Sequence, residues 1–231
     1  MKALILAAGL GTRLKPFTDI HPKALFRVEG KTLLEHALNH LKSAGVDEVI
    51  INVHHFAGQI IAFIQDHHDF GLKIAISDET GELLETGGGL KKAAWFFRDC
   101  DCAIVRNVDL LSDLDLLRMA KDHLASLSLA TLAVRKRETS RYFLFDDRMN
   151  LCGWENLKTG ERRLSKETVS PMPLAFSGIH VVDPRIFPMI TEMGKFSLTD
   201  LYLRLAKTHN IRGYLEDGVV WRDVGKMTND K

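Results

Sequence analysis

The sequence predicts an α/β fold, a mostly parallel sheet sandwiched by helices with a small antiparallel lobe, on three observations. Short apolar runs alternate with helical patterns through residues 1–135. Those runs are apolar throughout rather than at every second position, as strands covered on both faces are. After Lys136 the texture changes to short, hairpin-like segments. Parallel strands joined through helices imply right-handed crossovers.

Residues 2–7 read as the first strand. Residues 32–44 follow as an amphipathic helix, with Leu33, Leu34, Ala37, Leu38 and Leu41 on one face and Gly45 closing it. Residues 48–53 are β-branched and apolar, a second strand; 59–67 read as a helix and 72–77 as a third strand. Residues 88–98 read as a helix, 103–106 as a short buried strand, 113–125 as a helix capped by Asp113, and 128–134 as another strand. In the second half, 141–146 and 151–154 read as hairpin strands and the charged stretch 158–167 as a solvated loop. Residues 173–182 return to strand character, 197–207 form a helix, and 211–215 and 219–224 close the chain as strands. No low-complexity linker and no internal repeat interrupts the chain, so residues 1–231 read as one domain with an inserted antiparallel lobe.

At 231 residues, 45% hydrophobic and 26% charged, the chain can bury a full core, which excludes disordered and fibrous architectures. Its 31 basic and 30 acidic residues leave a net charge of +1, with no global field for DNA or an anionic membrane. Neither is expected as a partner. Cys100, Cys102 and Cys152 are too few for a disulfide frame or a four-ligand zinc site, so reduced thiols in the cytoplasm are expected. The apolar start at residues 3–10 stops at Gly11-Thr12-Arg13 instead of running on to a cleavage site. No other run approaches the ~20 residues of a membrane span.

Ligands of such sheets bind beyond the carboxyl ends of the strands. The loop after the first strand reads Leu6-Ala7-Ala8-Gly9-Leu10-Gly11-Thr12-Arg13, whose small residues let backbone amides approach an anion. It is neither a dinucleotide fingerprint, since Leu14 stands where the third glycine would, nor a Walker A loop, since no Gly-Lys-Ser/Thr ending follows. It adds Arg13, a permanent cation with a planar fork suited to phosphate oxygens. Pro22-Lys23-Ala24-Leu25 supplies a second cation downstream. Taken alone, Asp109 reads as the cap of a turn or helix and Asp223 as a loop carboxylate. The ten histidines show no His-Glu-x-x-His motif and no third ligand at useful spacing, so surface positions are expected. His54 follows the second strand on the presumed ligand edge. Trp95-Phe96-Phe97 reads as core or as a self-association patch.

These motifs, followed in order by Glu85-Thr86-Gly87-Gly88-Gly89, Asn107-x-Asp109, Phe176-Ser177-Gly178-Ile179, Phe196-Ser197-Leu198 and Trp221-x-Asp223-Val224-Gly225, resemble the signature of nucleotidyltransferases that activate sugar 1-phosphates. The pattern is most similar to a short subgroup, the N-acetylmuramate 1-phosphate uridylyltransferases. The resemblance runs over nearly the whole chain. It implies a Rossmann-like, glycosyltransferase-A type fold, with residues 1–135 binding nucleotide and 136–231 binding sugar phosphate. It implies Mg²⁺-dependent transfer of a nucleoside monophosphate from an NTP, with UTP favoured, to a sugar 1-phosphate, releasing pyrophosphate. A monomer or homodimer is expected.

The implied roles are specific. Asp109 and Asp223 would carry the Mg²⁺; Arg13 would grip the β- and γ-phosphates and Lys23 the α-phosphate. Ala7, Ala8, Gly9, Gly11 and Thr12, with Thr86, Gly87 and Gly88, would contact the nucleotide, although the latter glycines could form only a helix entrance. Glu85 would face base, ribose or solvent. Asn107, Ser177 and Gly178 would meet the sugar phosphate. The Glu-Lys-Pro segment of better-studied members is absent, with Arg162, Arg163 and Lys166 in the corresponding region, and Val108 stands where glycine is common. The chain stops near the last motif, so no C-terminal β-helix for acetyl transfer and no regulatory extension are expected. The alternatives are a guanylyltransferase for heptose or mannose 1-phosphate, a phosphocholine cytidylyltransferase, and a non-catalytic nucleotide-sugar sensor. Aromatic and acidic groups around the acceptor would favour choline.

Overall fold

The first strand, β1 (Lys2–Leu6), is buried along its whole length, and its residues divide between two cores: Ala3 and Ile5 enter one, Leu4 and Leu6 the other. That division is the period-two geometry of a strand covered on both faces. The computed structural model describes residues 1–216 and 218–227. After a glycine-containing loop comes a small hairpin, β2 (Arg27–Val28) and β3 (Lys31–Thr32). Helix α1 (Leu33–Ser43) follows, opened by a capping box in which the Thr32 hydroxyl accepts from the Glu35 amide and the Glu35 carboxylate from the Thr32 amide. Its five buried residues are those the spacing predicts, each stabilising the packing by about 1.5–3 kcal/mol where fully buried and large. Then come β4 (Glu48–Val53), α2 (Ala57–Asp66), β5 (Lys73–Asp78), α3 (Glu85–Lys92), β6 (Ala103–Asn107), β7 (Leu110–Ser112), α4 (Leu116–Ser126) and β8 (Ala130–Arg135).

The second half contributes β9 (Arg141–Phe145), β10 (Leu151–Asn156), β11 (Glu161–Leu164), the long β12 (Met172–Val182), α5 (Leu198–Leu205), β13 (Ile211–Leu215), β14 (Trp221–Asp223) and a single turn, α6 (Val224–Met227). The main sheet runs β11-β10-β9-β12-β6-β1-β4-β5, with β8 beside β12 and β13 beside β8. Strands β6, β1, β4 and β5 are mutually parallel, and β9, β10 and β11 form the antiparallel lobe. Strand β12 serves both: Met172–Leu174 pair with β9 and Ile179–Val182 with β6. The shift lies at Ser177-Gly178, where Gly178 has φ +77°, a left-handed value that favours glycine. Buried residues of α1, α2 and α4 pack in one core and those of α3 and α5 in the other. Among the described residues no helix is long and apolar enough to cross a membrane.

Several local expectations are corrected. The helix expected at 88–98 begins at Glu85 and ends at Lys92, and a 3₁₀ turn, Ala94–Phe97, then sends Phe96 and Phe97 into the core while Trp95 stays exposed. The cap of α4 is Asp115, which accepts from the Arg118 amide at 2.8 Å; Asp113 instead accepts from the Val220 amide at 2.8 Å and ties the last strand down. The charged stretch is not all loop, because β11 pairs with β10, and Arg163 lies over Trp154 at 4.6 Å while bonding Asp200 at 2.6 Å. Val108 sits in the core with no positive φ, its amide donating to the Leu6 carbonyl.

The histidines are not all at the surface. His123 and His180 are buried, and His40 is half-buried. Neutral imidazole packs well enough to sit inside when nothing protonates it. Burial pushes His180 down to about 3 and His40 and His123 down to about 4, from the ordinary 6.5. The unfolded chain therefore binds more protons than the folded one between those values. The stability these residues contribute is present above pH 6.5 and lost as pH falls toward the folded value. Denaturant unfolding between pH 7 and 5 should show stability falling below pH 6.5 by up to about 1.4 kcal/mol per pH unit for each such histidine. His180→Leu should reduce that slope by one histidine's share; an unaltered slope would contradict a neutral, buried His180.

Candidate active site

The parallel registers pair Leu6 with Asn52 of β4 on one side and with Asn107 of β6 on the other, so three strands end at one level. The glycine loop leaves from this edge. Asn52 pins its start: Oδ1 accepts from the Ala7 amide at 2.6 Å and the Ala8 amide at 3.2 Å. The Asn52 Nδ2 donates to Glu79 Oε1 at 2.8 Å, and the other Glu79 oxygen accepts from the Leu84 amide at 3.1 Å. Every member is buried or half-buried, so the chain of bonds is rigid. The amides of Ala7 and Ala8 are thus committed to Asn52, while Ala8, unlike Ala7, lines the first of the two clefts at this edge. The exposed stretch of the loop begins at Gly9.

Gly11 has φ +63°, and a Cβ there would lie 2.8 Å from the Lys23 Cβ, while its carbonyl accepts from Thr18. The turn folds the loop down onto Lys23. Lys23 follows Pro22 in a 3₁₀ turn, and its Nζ donates to Asp109 Oδ2 at 2.9 Å, with both side chains largely buried. Asp109 lies two residues past the end of β6. Its carbonyl accepts from the Val224 amide at 3.0 Å, and β14 pairs antiparallel with β7 so that Asp223 lies opposite Leu110. A Cβ at Gly225 would lie 3.2 Å from Arg13 Nη2 and 3.3 Å from Asp223 Oδ1, so guanidinium and carboxylate flank the same glycine. The structure therefore brings together Arg13, Lys23, Asp109 and Asp223 from opposite ends of the chain.

Behind them lies Arg106, wholly buried, donating to the Leu110 carbonyl at 2.6 Å and to His40 Nδ1 at 2.8 Å. His40 Nε2 lies 2.8 Å from the Leu114 carbonyl and must donate to it, which leaves Nδ1 as the acceptor. Burial pushes Arg106 down to about 10, with Asp109 opposing. Sequence reasoning missed Asn52, Glu79 and Arg106. Asn52 and Arg106 carried a signal, a lone polar side chain inside an apolar strand.

Two clefts adjoin at this edge. The first, of about 460 Å³, is lined by Gly9, Arg13, Lys23, Glu85, Thr86 and Asp109, among others. The second is lined by Arg137, Phe143, Trp154, Ser177, Gly178, Trp221 and Asp223, among others. Asn107 and Arg141 line both. Thr12 is exposed, and neither it nor Gly11 lines either cleft. Gly87 and Gly88 do not reach them: both amides donate to the Phe196 carbonyl, and their faces pack against residues 194–196. Their amides are spent on that carbonyl, as the helix-entrance alternative has it, and they are glycine because another backbone lies against them. Thr86 does line the first cleft, and its hydroxyl accepts from the Leu198 amide at 3.0 Å. Glu85 lies 3.6 Å from Lys195.

The Ser177 hydroxyl is also spoken for, since it donates to the buried Glu216. A Cβ at Gly178 would lie 2.6 Å from Leu110 Cδ1 and 2.9 Å from Asn107 Nδ2, so its place is set by packing. His54 donates to the Glu79 carbonyl at 2.7 Å, away from both clefts. Arg162, Arg163 and Lys166 line neither cleft.

The family described as nucleotidyl transferase matches residues 2–144. The N-acetylmuramate alpha-1-phosphate uridylyltransferase of Caulobacter vibrioides is 34% identical over 236 residues, covering 96% of this chain and 91% of that protein. The UTP–glucose-1-phosphate uridylyltransferase of Synechocystis sp. is 31% identical, covering 98% of this chain and 61% of that protein. Among solved structures, the inositol-1-phosphate CTP transferase from T. maritima superposes with a TM-score of 0.78, covering 100% of this chain and 91% of that one. At 15% identity that similarity is one of fold.

The packing role of the glycine triplet is directly measurable. A methyl at Gly87 would lie 2.9 Å from the Phe196 carbonyl oxygen and closer still to its ring. Gly87→Ala should destabilise the protein by about 1–3 kcal/mol through overpacking. Gly81→Ala, where nothing lies within 4 Å, should stay within about 0.5 kcal/mol of the parent in the same denaturant titration.

Proposed function

The chain belongs to the nucleotidyl transferase family, and on that premise we propose that it transfers a nucleoside monophosphate from an NTP, UTP by preference, to a sugar 1-phosphate. The observation that carries the reading is the convergence of Arg13 and Lys23 with Asp109 and Asp223 beside the glycine loop. A nucleotide-sugar sensor would have no need of all four. Both curated relatives described above are named uridylyltransferases of sugar 1-phosphates, which supports the base and the acceptor class. The second cleft holds two arginines against one carboxylate, charge that suits an acceptor phosphate. Its rings, of Phe143, Trp154, Phe176 and Trp221, would also suit a quaternary amine, so the relatives' names carry the choice of a sugar over choline.

The donor set fits a hard divalent cation: two carboxylates, Asp109 in the turn before β7 and Asp223 on the strand paired with β7, with no larger gathering of His, Cys, Asp and Glu among the described residues. Asp109 and Asp223 would hold Mg²⁺, which takes one or two carboxylates together with phosphate oxygens and water. When bound, it supplies charge neutralisation at the reacting phosphates.

In the reaction an acceptor phosphate oxygen attacks the α-phosphorus, and the bond to the β-phosphate oxygen breaks. Two anions must meet, so the protein's work is positioning and charge stabilisation. Arg13, at the end of the loop, holds the departing pyrophosphate. Lys23 is oriented by its 2.9 Å bond to Asp109 and stabilises charge growing at the α-phosphate. Because Asn52 consumes the first two loop amides, the triphosphate lies further along, against Gly9 and Arg13, which line the first cleft.

A pyrophosphate-release screen of ATP, CTP, GTP, UTP and dTTP against a panel of sugar 1-phosphates and phosphocholine should give highest turnover with UTP and a sugar 1-phosphate. Preference for GTP would overturn the base, and preference for phosphocholine the acceptor. Lys23→Ala should lower kcat by ~10²–10³. Asp109→Ala and Asp223→Ala should abolish Mg²⁺-dependent turnover with circular dichroism unchanged; near parental rates would remove these residues from the site.

A further inference from the structure

We propose that Arg137 is the anchor for the acceptor's phosphate, an assignment that rests on the nucleotidyl-transfer reading above. Arg137 lines the second cleft together with Asp223 and Trp221. Its guanidinium lies over the Trp221 ring at 4.6 Å, and that ring is fixed because the indole N–H donates to the Ser177 carbonyl at 2.8 Å. The neighbouring Arg135, over the same ring at 5.3 Å, is neutralised by Glu216 at 3.0 Å. Arg137 has no such carboxylate within ion-pair distance among the described residues. Among the described residues its Nη groups reach two carbonyls, of Phe176 at 3.2 Å and Glu138 at 3.4 Å, and its buried Nε has no hydrogen-bond partner.

A half-buried cation with unmet donors is costly unless an anion completes it. Burial lowers its pKa, and Asp223 favours its charged form. The cleft adjoins the nucleotide cleft through Asn107 and Arg141, which is where an attacking phosphate must lie to reach the α-phosphorus. A phosphate there can meet the two Nη groups, whose four N–H donors spend only two on carbonyls, the paired geometry that a guanidinium offers and an ammonium does not. Arg162 and Arg163, by contrast, are paired with carboxylates outside the clefts.

The test is steady-state kinetics of Arg137→Gln and Arg137→Lys, with Arg162→Gln as a control, on the sugar 1-phosphate turned over fastest by the parent. Arg137→Gln should raise KM for the sugar 1-phosphate by about 10- to 100-fold, the loss of a charge-assisted hydrogen bond, with KM for the NTP within about 2-fold. Arg137→Lys should recover part of it, and Arg162→Gln should match the parent. If Arg137 only buttressed Trp221 and the Asp223 strand, kcat would fall with the acceptor KM unmoved, and that result overturns the assignment. Calorimetric binding of inorganic phosphate provides an arm that needs no turnover. Weakening by Arg137→Gln of about 10-fold or more supports the anion site even if no sugar 1-phosphate is a substrate, and equal binding by variant and parent overturns it.

Discussion

Everything at the site depends on three parallel strands ending at the same level. Because Leu6 is in register with both Asn52 and Asn107, the loop after β1 emerges between a side chain that can hold its amides and the segment that carries Asp109. Leaving two buried amides unmet would cost about 1–3 kcal/mol each; Asn52 removes that cost and fixes the direction in which the loop departs. Glu79 in turn fixes Asn52. The result is a loop whose first residues are structural and whose later residues are exposed, an arrangement suited to an anion whose charge must be met by a rigid frame.

The opposite wall comes from the far end of the chain. Strand β14 adds to β7 rather than to the main sheet, and the Val224 amide bonds the Asp109 carbonyl. A turn carboxylate, Asp109, and a strand carboxylate, Asp223, are thereby placed side by side, against two cations. A largely buried Lys23–Asp109 pair is weak evidence of stability, since desolvation offsets most of its attraction. Its sense is preorganisation: charges are held where a triphosphate would otherwise have to recruit them. Arg106 and His40 hold the same turn from behind without entering either cleft.

Much of this was legible in the amino-acid order. Continuous apolar runs separated by helical periods marked the parallel strands, and the buried face of α1 follows residue by residue from its spacing. The errors share one physical origin. Gly87 and Gly88 look like a ligand-cradling run, but Phe196, more than a hundred positions away, presses against them. Ser177 does line the second cleft, yet its hydroxyl is taken by Glu216. Asp113 has the composition of a helix cap but is drawn to Val220, leaving Asp115 to cap α4. Each side chain has a local use and a distant one, and a sequence read in order displays only the local use.

The sequence by itself determined the elements, the layered architecture and the chemical types available at one sheet edge, because hydrophobic periodicity, caps and turn residues act over a few positions. Only tertiary structure decided which donors remain for a ligand. That depends on which partners are already satisfied, as with the amides taken by Asn52, the hydroxyl taken by Glu216, and Arg137, whose Nη groups keep donors beyond the two carbonyls they meet. Hydrogen bonds are short-ranged, and these groups meet only after the chain has closed on itself.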